Sequence, residues 1–239
     1  MSRRPGYLRI WAGVSRLMTG LCAGRPEFWL VLFGVPAAAW LLPGRESLPI
    51  LPLAASAAAY ALPGAVLIVW MSSGTRAGLA SFLFRSRAGR TGLLVPELAF
   101  TAMAGSAISA GLCWVWQLTG GHVPWQMWAM IPFCALTASS LVSLSENRFP
   151  LAGRSVLLLG FLLQASDAPW STSPVFRLGL PQGYIFRSAE WAAGQGEAIH
   201  GDIYLFFSVI EAIGLLLLAV KLGRTNPAAT AKRGTLRSV

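Results

Sequence analysis

Six long apolar stretches alternate with short polar segments, and threading them back and forth across a bilayer puts sixteen of the nineteen Lys and Arg residues on one side. Arg3, Arg4, Arg9, Arg16 and Arg25 precede the first stretch, and Arg76, Arg85, Arg87 and Arg90 lie between the second and third. Arg148 and Arg154 separate the fourth from the fifth, and Lys221, Arg224, Lys232, Arg233 and Arg237 follow the core of the sixth. Only Arg45, Arg177 and Arg187 fall on the other side. Basic residues are retained on the cytoplasmic face during insertion, so this asymmetry predicts a polytopic membrane protein with both termini cytoplasmic.

A chain of 239 residues that is 55% hydrophobic and 12% charged has too little polar surface to dissolve as a globule. It has enough apolar length for six spans of about 20 residues each, leaving little for a soluble domain. The formal charge of +10 resides mainly in the cytoplasmic loops, where anionic lipid headgroups are the expected partner and nucleic acid is not. Cys22, Cys113 and Cys134 show no paired spacing and read as small buried residues, without a disulfide framework or metal site.

The predicted fold is all-α. Tyr7, Ile10, Trp11, Val14, Leu17, Met18 and Leu21 recur at helical spacing, predicting an amphipathic interfacial helix over 7–21. Spans are expected at 27–42, kinked at Pro36, and at 49–71, 92–117, 124–144, 150–166 and 203–222. They form one transmembrane domain, 1–224, followed by a basic cytoplasmic tail, 225–239. In the third span Ala102, Gly105, Ser106, Ser109, Ala110 and Cys113 make a small-residue surface suited to close helix packing. Trp114, Trp116, Trp125 and Trp128 crowd the external interface, as aromatic belts do. The stretch 167–202, rich in Pro, Gly and Trp, is expected to hold a re-entrant or interfacial segment before the sixth span, buried against protein so that its backbone is satisfied.

The loop after the second span carries Gly78, Leu79, Phe82 and Leu83, then Arg85, Arg87 and Arg90 ahead of the third span. This arrangement resembles the cytoplasmic coupling segment of type-2 ABC exporter membrane subunits. There a Gly, an apolar helical run, a small-residue turn and an Arg precede the third span. Pro174 to Tyr184, with Pro181 and Tyr184 three residues apart, resembles the pre-exit segment of the same family. The order of parts agrees over nearly the whole chain. The chain departs from the pattern where an acid usually precedes the Gly, here Arg76-Ala77, where a turn proline is Arg87, and where a lysine often opening the third span is Glu97.

The resemblance implies the permease subunit of an ATP-driven exporter in the inner (plasma) membrane, pairing with a second membrane subunit, identical or related. Residues 77–85 would form the helix that fits a cleft on the ATP-binding subunit, with Phe82 and Leu83 as apolar anchors. No GxxxxGK[ST] phosphate loop occurs, so ATP hydrolysis is expected in a separate polypeptide, and the chain is expected to need no cofactor and to be no enzyme. The rival readings are a membrane assembly or structural subunit that transports nothing, and an integral membrane enzyme acting on lipid.

Glu211 lies about eight residues inside the sixth span, roughly 12 Å from its external end by helical rise. Carboxylates at such depth usually face a cavity or partner, so Glu211, with Tyr184, is the candidate for the translocation path or gate. Glu97 is expected to be structural, pairing with Arg90 if the third helix extends back that far. His122 and His200 match no metal-ligand spacing, and the scattered Ser, His and Asp residues match no nucleophilic triad.

Overall fold

The computed structural model describes residues 6–41, 66, 70, 74–84, 91–148 and 198–225, all of them in helices or the turns between them. The helices are α1 (Tyr7–Ala23), α2 (Pro26–Leu41), α3 (Gly74–Phe84), α4 (Thr91–Leu118), α5 (Trp125–Arg148) and α6 (Ala198–Thr225). Three are long and apolar enough to cross a membrane over Thr91–Leu118, Trp125–Leu144 and Leu205–Leu222, which marks the chain as a membrane protein. The apolar α2 is shorter, at 16 residues or about 24 Å, and carries Pro36 within it. Of the expected span at 49–71 only residues 66 and 70 are described, and the expected span at 150–166, the stretch 167–197 and the tail beyond Thr225 lie outside the described residues.

α4 and α5 form an antiparallel hairpin whose tight turn follows from two glycines. Gly120 adopts φ +91°, a conformation open to residues without a Cβ. Its N–H donates to the Gln117 carbonyl, and the Gly121 N–H donates to that of Trp116. These two bonds close the helix end by the Schellman pattern, satisfying carbonyls that the last turn would otherwise leave bare. The Trp116 indole lies where a Cβ on Gly121 would have to sit.

α5 and α6 run parallel, in a register that holds along their length. The Gln126 side-chain amide donates to Asp202 at 2.9 Å, Cys134 interacts electrostatically with Glu211, and Val142 shares a buried cluster with Ala219. The partners in all three cases are 76 or 77 residues apart. Ala135, Ala138, Ala212 and Ala219 are fully buried, and their small side chains allow close helix approach. Because the pair is parallel, Arg148 and Ala198 lie at opposite ends of it.

α1 and α2 flank α4. Val14 and Met18 of α1 bury against Leu93, Leu94 and Leu98, while Ala39 of α2 joins Ile108, Leu112 and Cys113 farther along. A Cβ on Gly111 would lie 3.0 Å from Pro36 Cγ, so the absent side chain sets how closely the two helices approach. Trp29 Nε1 donates to the Ala23 carbonyl at 2.8 Å and ties the start of α2 to the end of α1. The small-residue surface of α4 is partly consumed within the chain: Gly105, Ser109 and Cys113 are buried.

Candidate functional site

α3 is a short helix with two distinct faces. Arg76, Leu79, Ala80 and Leu83, at i, i+3, i+4 and i+7, turn toward the bundle, while Ala77, Gly78, Ser81 and Phe82 are exposed. Leu83 is 3% exposed, in a cluster with Val14, Met18, Trp70, Leu93 and Leu98. Its neighbour Phe82 is 70% exposed. The two apolar residues expected to act together therefore point apart, one locking α3 onto its own bundle and the other presented outward.

The second lock is ionic. Glu97, six residues into α4, is 0% exposed and takes Arg76 Nε at 2.7 Å on Oε1. Arg76 Nη2 reaches Oε2 at 3.5 Å, and Trp70 Nε1 donates to Oε1 at 2.5 Å. The expected partner, Arg90, lies outside the described residues; among those described, the ion-pair partner is Arg76, whose helix places its first turn beside the start of α4. An isolated carboxylate at such a site would be costly to bury, and the guanidinium together with the indole N–H compensates it.

One turn along α4 the polar contacts continue. The Thr101 hydroxyl lies 2.8 Å from Ser139 Oγ on α5, and Ser139 donates to the Ala135 carbonyl at 2.9 Å. Thr101 Oγ also lies 2.9 Å from the carbonyl of Glu97 itself. Ser140 and Ser143 are buried on the same end of α5, with hydroxyls that have no hydrogen-bond partner among the described residues. From the bundle-facing side of α3 to the α4–α5 seam, the chain thus has a continuous set of short contacts: Arg76 to Glu97, Thr101 to Ser139.

Of the expected site residues, Gly78, Leu79, Phe82 and Leu83 share α3, whereas Arg85, Arg87, Arg90 and Tyr184 lie outside the described residues. Glu211 is half-buried on α6, away from this group. No set of three His, Cys, Asp or Glu side chains among the described residues is placed to hold a metal ion. Trp70 and the Arg76–Glu97 pair were missed by sequence reasoning. Their available signal was that Arg76 and Glu97 carry the charge opposite to that of the resembled pattern, at both positions at once.

No family profile, curated protein or solved structure matches this chain.

Proposed function

We propose that the chain is the permease subunit of an ATP-driven exporter and that α3 is its coupling helix. One observation carries the reading: a short surface helix is clamped to a membrane-spanning helix through the buried Arg76–Glu97 pair and Leu83, while Phe82 is held outward beside Gly78. A push on α3 would pass directly to α4, because a buried ion pair and a packed leucine leave little slack. The two charge departures from the resembled pattern are the two ends of one contact, so reversing both leaves an attractive pair. Arg76 is thereby engaged inside the chain, and Phe82 is the docking anchor for an ATP-binding subunit.

In this reading the basic loops and both termini are cytoplasmic in the inner membrane, with anionic lipid against them. A second copy or related subunit completes the path, and the chain binds no nucleotide. The test is copurification of coexpressed ATP-binding subunits with the tagged protein in mild detergent. An ATPase retained by wild type and lost by Phe82→Ala supports the reading; equal retention, or none with wild type, removes it.

A further inference from the structure

α1 is fixed on one side and open on the other. Val14 and Met18 are buried against Leu93, Leu94 and Leu98 in the first turns of α4, with Ile10 and Leu17 packed beside them. On the outward side Arg9, Gly13, Arg16 and Gly20 follow at i, i+4, i+7 and i+11, and all four are exposed. A Cβ added at Gly13 or Gly20 would meet nothing within 4 Å. Two guanidinium groups, rooted about 10 Å apart along the helix, thus flank a strip of bare backbone at Gly13. Residues 7–23 contain no Asp or Glu, so every charge the helix itself carries is positive.

The position of this face selects its partner. α4 has 28 residues, about 42 Å of helix against a hydrocarbon core of about 30 Å, so its ends stand in the headgroup layers. α1 packs on the first turns of α4 and so lies at that level. Where α1 ends, an apolar surface begins. Trp29, tied to the Ala23 carbonyl, stacks on Phe33 with ring centroids 5.7 Å apart, and both rings, like Leu30, are exposed. Arginines pair well with phosphate oxygens, and an apolar face next to them suits acyl chains. A molecule with a phosphate at one end and acyl chains at the other uses both surfaces, whereas a dissolved anion would use only the first.

We propose that Arg9 and Arg16 hold the phosphate of an anionic phospholipid over the gap at Gly13, with its acyl chains against the exposed face of α2. This lipid position rests on the membrane placement within the exporter reading, but lipid binding requires no ATPase, so the two fail separately.

The test is native mass spectrometry of the purified full chain in a neutral detergent, titrated with phosphatidylglycerol or with phosphatidylcholine. Phosphatidylglycerol should bind saturably and more tightly than phosphatidylcholine, and its affinity should fall about tenfold or more when Arg9→Ala and Arg16→Ala are combined. Gly13→Leu changes no charge and enters open space, yet should weaken binding severalfold by filling the gap. Lys232→Ala with Arg233→Ala, an equal charge change in the tail, should bind as wild type does. Equal losses in the two double variants overturn the proposal, since diffuse charge alone is then at work. So does unchanged binding by Gly13→Leu, equal affinity for the two lipids, or displacement of the lipid by inorganic phosphate at the same concentration. The three substituted positions on α1 are exposed, so melting temperatures close to wild type separate loss of binding from loss of fold.

Discussion

Arg76 and Glu97 meet at 2.7 Å across twenty-one residues of sequence, joining the first turn of a surface helix to the interior of a membrane-spanning one. The arginine is 24% exposed and the glutamate not at all. The contact therefore runs from the edge of the protein to its core, with its charge neutralised at the buried end. Deprived of its partner, Arg76 can turn its charge to solvent, whereas Glu97 deprived of Arg76 keeps its charge buried.

Removing either partner is expected to destabilise the chain unequally. Arg76→Ala strands a buried carboxylate and costs about 3 to 5 kcal/mol, the usual penalty for breaking a buried pair from one side. Glu97→Gln keeps an acceptor for Trp70 and should cost less. The exchange Arg76→Glu with Glu97→Arg should recover part of the loss, and thermal melting in detergent reads all three. Additive losses in the exchange variant would mean that the pair is not the clamp.

Phe82 and Leu83 are adjacent but should separate completely in their effects. Leu83→Ala opens a void in a packed cluster and is expected to cost about 2 to 5 kcal/mol. Phe82→Ala removes an exposed ring, and its melting temperature should stay close to wild type; under the proposed coupling role of α3, capture of an ATP-binding subunit should be lost at the same time. Comparable destabilisation by both substitutions would place Phe82 in the fold instead of at a docking surface.

These contacts also show where sequence reasoning reaches and where it stops. The hairpin of α4 and α5 was legible because its signals are local: two apolar runs of helical length, with Gly120 and Gly121 at the turn. Glu211 stood out because a charge within an apolar run has few explanations. The partner of Glu97 was not legible, since the choice between Arg76 and Arg90 depends on where α3 ends and how it folds back, which no local pattern encodes. Phe82 and Leu83 were read as one anchor because both are apolar; the i, i+3, i+4, i+7 set formed by Arg76, Leu79, Ala80 and Leu83 assigns them to different faces. Apart from residues 66 and 70, the second expected span lies outside the described residues, as does the fifth.

Cys22 offers a pH-dependent readout near the end of α1. Burial raises its thiol pKa above the usual value, more than the nearby Arg25 lowers it. Only the thiolate attacks an alkylating reagent, and a raised pKa means less thiolate at neutral pH than a free cysteine has. Alkylation of Cys22 in the folded protein should be slower than that of glutathione at pH 7. Its rate should climb about tenfold per pH unit up to the raised pKa, while Cys113 and Cys134, buried within the spans, should stay unmodified. Mass spectrometry of pulse-alkylated protein checks this, and a rate already saturated at pH 7 would contradict it.

The parallel pairing of α5 and α6 can be tested without reference to function. In a background lacking native cysteines, Gln126→Cys with Asp202→Cys should cross-link through a short bifunctional reagent, because the native side chains approach to 2.9 Å. Val142→Cys with Ala219→Cys should do so as well, since both residues sit in one buried cluster at the other end of the pair. Gln126→Cys with Lys221→Cys should not: by register Lys221 lies beside residues 144 and 145, about 28 Å of helix from position 126. An antiparallel arrangement would exchange these outcomes. It would also put Arg148 and Ala198 at the same end, so that the chain between them would no longer have to begin at one end of the helix pair and finish at the other.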